Sequence, residues 1–292
     1  VRDETGLLVG STGIAIDPDH DDNPDMLSVG INVRAPHRRN GIATQLLGYV
    51  VALAKRENRT RLLGGTSSRL PGGEALMASV GADKKQAMHM NRLMISDVDR
   101  SQLQQWVTDG PKRAEGYELI GWDGAVPEEH MNAFLAAVLV MNTAPRDDLE
   151  MNDFTVTAEE IRESEKVAQA AGYVEWQLIA RRISDGVWAG IHDVGWNPSE
   201  PDYVYVGSTG VFPDHRGHAL GKWLKATMTL RVMDERPNVT EIRTGNADSN
   251  DAMLGINKEM GYKPFIDQAV WELSTDAAEA WLRDRSVEIP LV

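Results

Sequence analysis

The chain has 292 residues, 42% hydrophobic and 25% charged, which is enough for two domains that each bury a core. A formal charge of −14 argues against a nucleic-acid surface and leaves either plain solubility or a cationic substrate. There is no cysteine, which excludes disulfides, thiolate metal sites and a cysteine nucleophile. No apolar run approaches the ~20 residues of a membrane span and no secretory leader pattern is present, so a cytoplasmic protein is expected. Val1 stands where Met is usual, which predicts either an alternative start or a missing N-terminal piece.

In chain order, Thr5-Gly6-Leu7-Leu8-Val9-Gly10 predicts a tight turn between two strands. Leu27, Val29, Ile31 and Val33 alternate with Ser28, Gly30 and Asn32, the period of a half-buried strand. Ile42, Leu46, Tyr49, Val50, Leu53 and Ala54 then recur at helical spacing. A strand is expected at 61–66, a short helix ending at Gly81, and a closing strand near 87–95. Leu103, Trp106 and Val107 set another short helix, which Asp109-Gly110-Pro111 is expected to break. The domain junction is placed there, giving a first unit over 1–98, a linker helix over 99–115 and a second unit over 116–292.

The second unit opens with a strand at 117–122 and two helices that have no counterpart in the first. Thr157 and Glu160 form a capping box for the later of these helices. The order then repeats: a turn at Asp185-Gly186, a strand over 203–211, and a helix face of Leu220, Trp223, Leu224 and Met228. A strand at 241–244, a short helix ending at Gly261, a closing strand at 268–273 and a helix at 275–285 complete it. Val33 recurs as Val211, 178 residues on, and Gly6 as Gly186, 180 residues on. The first unit therefore reads as a copy without its opening strand and helices.

Each copy joins a strand to a helix through a short loop, Val33-Arg34-Ala35-Pro36-His37-Arg38-Arg39-Asn40-Gly41-Ile42-Ala43 and Val211-Phe212-Pro213-Asp214-His215-Arg216-Gly217-His218-Ala219-Leu220-Gly221. Small residues at a helix N-terminus let backbone N–H groups approach phosphate. Candidate contacts are Val33, Arg38, Arg39, Asn40, Gly41, Ile42 and Ala43 in the first loop. In the second they are Val211, Arg216, Gly217, His218, Ala219, Leu220 and Gly221, with Ala219 expected to keep a negative φ. A nucleotide P-loop is excluded, because Gly217 and Gly221 enclose only three residues and Lys222 is followed by Trp223.

The spacing Arg-x-x-Gly-x-Ala at Arg38, Gly41 and Ala43 resembles the acyl-CoA pyrophosphate loop of the GNAT acetyltransferase superfamily. Arg216, Ala219 and Gly221 resemble it with Ala at the central position. The stretch from Asn250 to Tyr262 resembles the family's second motif, Asn-x-x-Ala-x-x-x-Tyr-x-x-x-Gly-Phe. The resemblance implies a tandem GNAT protein, a two-unit architecture of the mycothiol synthase type. Its fold would be α/β (α+β), each unit a mixed, mostly antiparallel sheet flanked by helices and splayed where CoA inserts, the first unit lacking its N-terminal strand and helices. It further implies direct transfer of an acetyl group from acetyl-CoA, a co-substrate, to an amine of a small molecule. No metal, nucleic acid or membrane would take part, chemistry would sit in the C-terminal unit, and the protein would be a monomer or homodimer. The alternative is a non-catalytic acyl-CoA-binding sensor.

Under the same resemblance, Asn250 opens the helix beside the pantetheine arm or simply caps it, and Asn246 on the strand before it joins the cofactor set. Asn257 replaces the family's Tyr, and a carboxamide cannot supply that residue's proton, although it can hydrogen-bond sulfur. The first unit has Leu70 and Met77 at the Asn and Tyr positions. The family's strand Glu, eleven residues before the loop's first position, is Tyr205 here, either a proton relay or a packed residue. On the acceptor side, Asp147 and Asp148, with Glu150 and Asp153, attract a cationic amine or form a solvated loop. His192 and Asp193, on the strand after the turn, point into the same cleft, or His192 is structural. Trp122, Trp176, Trp188 and Trp223 fit core or cleft walls.

Overall fold

The computed structural model describes residues 1–14, 16 and 21–290. In chain order its regular elements begin with β1 (Gly10–Ile14), β2 (Met26–Val33), α1 (Ile42–Arg56), β3 (Arg61–Ser67), α2 (Pro71–Val80) and β4 (Asp83–Met94). They continue with α3 (Arg100–Arg113), β5 (Tyr117–Asp123), α4 (Met131–Val138), α5 (Ala158–Ala170), β6 (Val174–Arg182), β7 (Trp188–Trp196) and β8 (Tyr203–Val211). The last are α6 (Leu220–Glu235), β9 (Glu241–Ala247), α7 (Asp251–Met260), β10 (Lys263–Ser274) and α8 (Thr275–Arg283). The alternating and helical patterns thus become strands and helices where they were expected. The short helices α2 and α7 both end on left-handed glycines, Gly81 and Gly261.

Two compact units form: Val1–Met88 with Arg146–Asn152 and Ile266–Val292, and His89–Pro145 with Asp153–Phe265. In unit 1 the strand order is β1-β2-β3-β10, with β2 and β3 parallel and the outer pairs antiparallel. Helix α1 lays Leu47, Val50, Val51 and Ala54 on Leu27 and Leu62, and α8 adds Ala278 and Leu282 to the same core. In unit 2 the order is β4-β9-β8-β7-β6-β5, with β8 and β9 parallel and β5 to β8 antiparallel. Helix α6 covers one face of that sheet and α4 the other, burying Leu220, Leu224 and Met228 on one side and Phe134 and Ile191 on the other.

Two expectations are corrected. The strand at 268–273 was expected to close the second copy, but residues 268–274 pair with 61–67 of β3 and so close unit 1. The end of β4 conversely supplies Leu93 to the core of unit 2. Both closing strands are 12 residues long with similar alternation, so local pattern does not choose the partner. Second, Asp109-Gly110-Pro111 does not break its helix: α3 runs through Pro111 to Arg113. Pro111 lies in the last turn, and Gly110 is required by packing, since a Cβ there would lie 2.6 Å from the Trp223 ring.

Candidate functional site

Parallel pairing between β8 and β9 covers Tyr203–Tyr205 against Glu241–Arg243, after which the strands run on unpaired to each other. The same happens in unit 1, where β2 and β3 pair over Met26–Val29 against Arg61–Gly64. Each unit therefore opens at the C-terminal end of a parallel strand pair, directly before a strand–loop–helix junction.

The two loops share their internal bonding. Arg38 Nε donates to the Val33 carbonyl and Arg216 Nε to the Val211 carbonyl, both at 3.0 Å. The His37 N–H donates to the Arg34 carbonyl and the His215 N–H to the Phe212 carbonyl. These arginines thus shape the loop against the strand end, a role that the spacing did not reveal. Neither α1 nor α6 has a side-chain N-cap, and nor do α2 and α4, whereas α3, α5, α7 and α8 are capped by Asp99, Thr157, Asn250 and Ser274. Four N–H groups at each uncapped N-terminus lack intrahelical partners, which suits an anion. Ala219 is a correction: its φ is +58°, left-handed like Gly41 at +77°. Gly221 is small for a further reason, since its Cβ would lie 3.2 Å from Ile256 Cδ1.

Asn250 is the N-cap of α7, its side chain accepting from the Met253 N–H at 3.3 Å. Asn257 is buried and donates its Nδ2 to Asn246 Oδ1 at 2.7 Å, while its own Oδ1 has no partner. His192 lies on the α6 face, sealed in the interior with Nδ1 2.8 Å from Thr209 Oγ1. Burial first, and the Lys225 charge second, push it down to about 3. Lys225 on α6 is 1% exposed, its ammonium has no hydrogen-bond partner, and burial pushes it down to about 8.

The opposite face of the unit 2 sheet holds Asp193, which the sequence set beside His192 on the acceptor side without a catalytic role. The β7–β8 register shifts between His192 and Val194, leaving Asp193 against a bulge in β8. There Asp193 Oδ1 accepts the Ser208 N–H at 2.8 Å, and its carboxylate occupies the space where a Cβ on Gly207 would stand. Desolvation pushes its carboxyl up to about 6, outweighing the Ser208 bond, with the Glu175 charge adding to the rise. Gly195, two residues on, pairs with both Glu175 and Tyr205, so these three rows share the α4 face with Asp193. Glu175 is likewise raised, by burial and then by Glu165, and Tyr205 is 40% exposed.

The other acceptor candidates Asp147, Asp148 and Glu150 fall in unit 1, in its segment Arg146–Asn152, whereas His192 and Tyr205 lie in unit 2. The Asp148 N–H donates to the Lys85 carbonyl and the Asn152 N–H to Asn23 Oδ1. Trp176, Trp188 and Trp223 are buried core residues. Among the described residues no helix is long and apolar enough to cross a membrane.

The acetyltransferase (GNAT) family model matches residues 1–71. No curated protein sequence matches the chain. Among solved structures, a tandem GNAT protein from the clavulanic acid biosynthesis pathway, without AcCoA, superposes with a TM-score of 0.74 at 24% identity, covering 94% of this chain and 81% of that one. A GCN5-related N-acetyltransferase from Sphaerobacter thermophilus gives 0.64 at 14% identity over 94% and 79%. Another from Kribbella flavida gives 0.52 at 14% over 91% and 88%. At such identities the likeness carries the fold and leaves the substrate open.

Proposed function

We propose that this chain, which has a tandem GNAT fold and matches the GNAT acetyltransferase family over its first 71 residues, is an acyltransferase in which unit 2 performs the chemistry with Asp193 as general base. The reaction is acyl transfer, with acetyl-CoA as donor and an amine of a small molecule as acceptor. Asp193 takes a proton from the amine as its nitrogen attacks the thioester carbonyl. The C–S bond then breaks and CoA leaves as thiolate. A thiol pKa of roughly 8.5 lets it leave without a dedicated acid, which Asn257 does not provide. The uncapped N-terminus of α6, reached through Arg216, Gly217, His218 and Ala219, holds the pyrophosphate. Tyr205 positions the acceptor on the Asp193 face.

The observation that carries this reading is the Asp193 carboxyl, held at about 6 by burial beside the bulge of β8. A base that titrates just below neutrality is ionised at pH 7 and still accepts a proton readily. Glu175 on the same face gives a floor of carboxylates, which favours a cationic amine. The sensor reading is favoured by the Asn257–Asn246 bond, which ties the residue at the family's acid position to its neighbour.

The test is thiol release from acetyl-CoA over a panel of amines for the wild type and Asp193→Asn. The isosteric amide keeps the Ser208 bond, so the fold is retained. Turnover is expected to fall by about 10²–10⁴-fold with acetyl-CoA affinity unchanged. The wild-type rate should rise with pH through about 6 as Asp193 loses its proton. Wild-type turnover in Asp193→Asn overturns the assignment, and background release across the panel supports the sensor.

A further inference from the structure

Unit 1 has a cavity at the opening of its parallel strand pair. Its volume is about 90 Å³, and its walls include Val29, Ile31, Leu47, Leu62, Met77 and Trp271. It begins where the β2–β3 pairing ends, at Val29 and Gly64. Gly64 leaves room there for the Met77 side chain, whose Cε stands where a Cβ would be. On its wall Trp271 Nε1 donates to Thr66 Oγ1 at 2.8 Å. The mainly apolar walls suit an apolar guest.

The equivalent positions of unit 2 have opposite chemistry. Following the repeat, Ile31 corresponds to Thr209, Leu47 to Lys225, Met77 to Asn257 and Thr66 to Asn246. At three of these positions unit 1 offers hydrocarbon where unit 2 offers a hydroxyl, an ammonium and an amide, and at the fourth a threonine already bonded to Trp271 stands where unit 2 has a second amide. The loop that leads to α1 keeps its left-handed glycine and its uncapped helix N-terminus.

We infer that unit 1 binds an acyl-CoA whose acyl group is apolar and longer than acetyl, with the chain in this cavity and the pyrophosphate on the loop after β2. An acetyl methyl leaves most of the space empty. The volume is about three times a water molecule's share of the liquid, room for the methyl and about two methylene groups, so the preferred chain has about four carbons. The inference rests on the reading of the strand–loop–helix unit as a CoA-holding element. It adds that the first copy selects its ligand by chain length.

The experiment is calorimetric titration of the full chain with CoA and with acetyl-, butyryl-, hexanoyl- and octanoyl-CoA. Affinity at one site should rise about fourfold per added methylene and stop rising near butyryl. Two variants obstruct the cavity: Gly73→Leu, whose Cβ makes only an ordinary 3.5 Å contact with Thr66 Cγ2, and Ile31→Phe. Both should abolish the dependence on chain length while acetyl-CoA still binds. Gly73→Ala takes up less space and adds a helix-favouring residue to α2, so it should remain folded and lower the preferred length by about one carbon. Affinity that is flat with chain length, or a rise that persists in folded Gly73→Leu and Gly73→Ala, overturns the inference. Failure of CoA and every acyl-CoA to bind the wild type overturns the underlying reading of the loops instead, and the inference with it.

Discussion

The loop after β2 turns left-handed at Arg39 (φ 65°) and Gly41 (φ 77°), and the loop after β8 does so at Gly217 (φ 86°) and Ala219 (φ 58°). The two loops have the same backbone and the same arginine-to-strand bond, yet each spends its glycine at a different turn. What is held constant is the conformation that presents a helix N-terminus, while the residue that supplies it varies. The contrast deepens below the loops. Leu47 in unit 1 packs in an apolar core, whereas its counterpart Lys225 in unit 2 is a buried ammonium with no hydrogen-bond partner. Above the sheet, unit 2 has the helices α4 and α5 and the Asp193 face. The described part of unit 1 has an exposed face there, with Ser28, Gly30 and Asn32 open to solvent.

The largest effect expected from making the units alike is at Lys225. Burial lowers its folded pKa to about 8 from the ordinary lysine value of 10.5, so the unfolded chain binds more protons between those pH values. Stability should rise with pH across that window, and the cost of burial is fully present below pH 8. Lys225→Met removes a cost of about 3 kcal/mol at pH 7 and flattens that rise, measured as urea midpoints at pH 7, 8.5 and 10. An unchanged midpoint would mean that the ammonium finds a partner.

A smaller effect belongs to Gly110, which unit 2 needs for the close approach of Trp223 to α3. Gly110→Ala should destabilise by about 1–3 kcal/mol through overpacking, although alanine is the better helix former. A gain in thermal midpoint would contradict that contact. Smallest is the exchange of loop residues. Ala219→Gly should stabilise and Gly41→Ala destabilise, each by about 1 kcal/mol, because only glycine takes the left-handed turn without strain. Equal shifts of the same sign would break the symmetry drawn between the loops.

Much of this was legible in the sequence because it is local. Leu27 to Val33 and Ile42 to Ala54 announce a strand and a helix by period, and the small residues between them announce the loop. What escaped was set by distance along the chain. Nothing in Gln268 to Leu273 says that its partner is Arg61 to Ser67 rather than a strand of its own half. Ala219 looked tolerable because a φ angle is not written in a side chain. Asp193 was named with His192 on the acceptor side but given no role as a base, because a lone polar residue on a strand looks like any other. The available signal was Gly207, a glycine inside a strand otherwise rich in valine and tyrosine, which marks the close approach of another group.

The central claim is that the unequal copies divide the work, with chemistry in unit 2. Asn40 and His218 occupy matched, exposed loop positions without left-handed strain, so a carboxylate at either one would repel a pyrophosphate without disturbing the fold. Thiol release from acetyl-CoA, with an amine that supports wild-type turnover, is the measurement for Asn40→Glu and His218→Glu. His218→Glu should lower turnover on the order of 100-fold, as like charges at close range predict, and Asn40→Glu should leave it near wild type. Loss of turnover in Asn40→Glu alone would contradict the account and move the chemistry to unit 1.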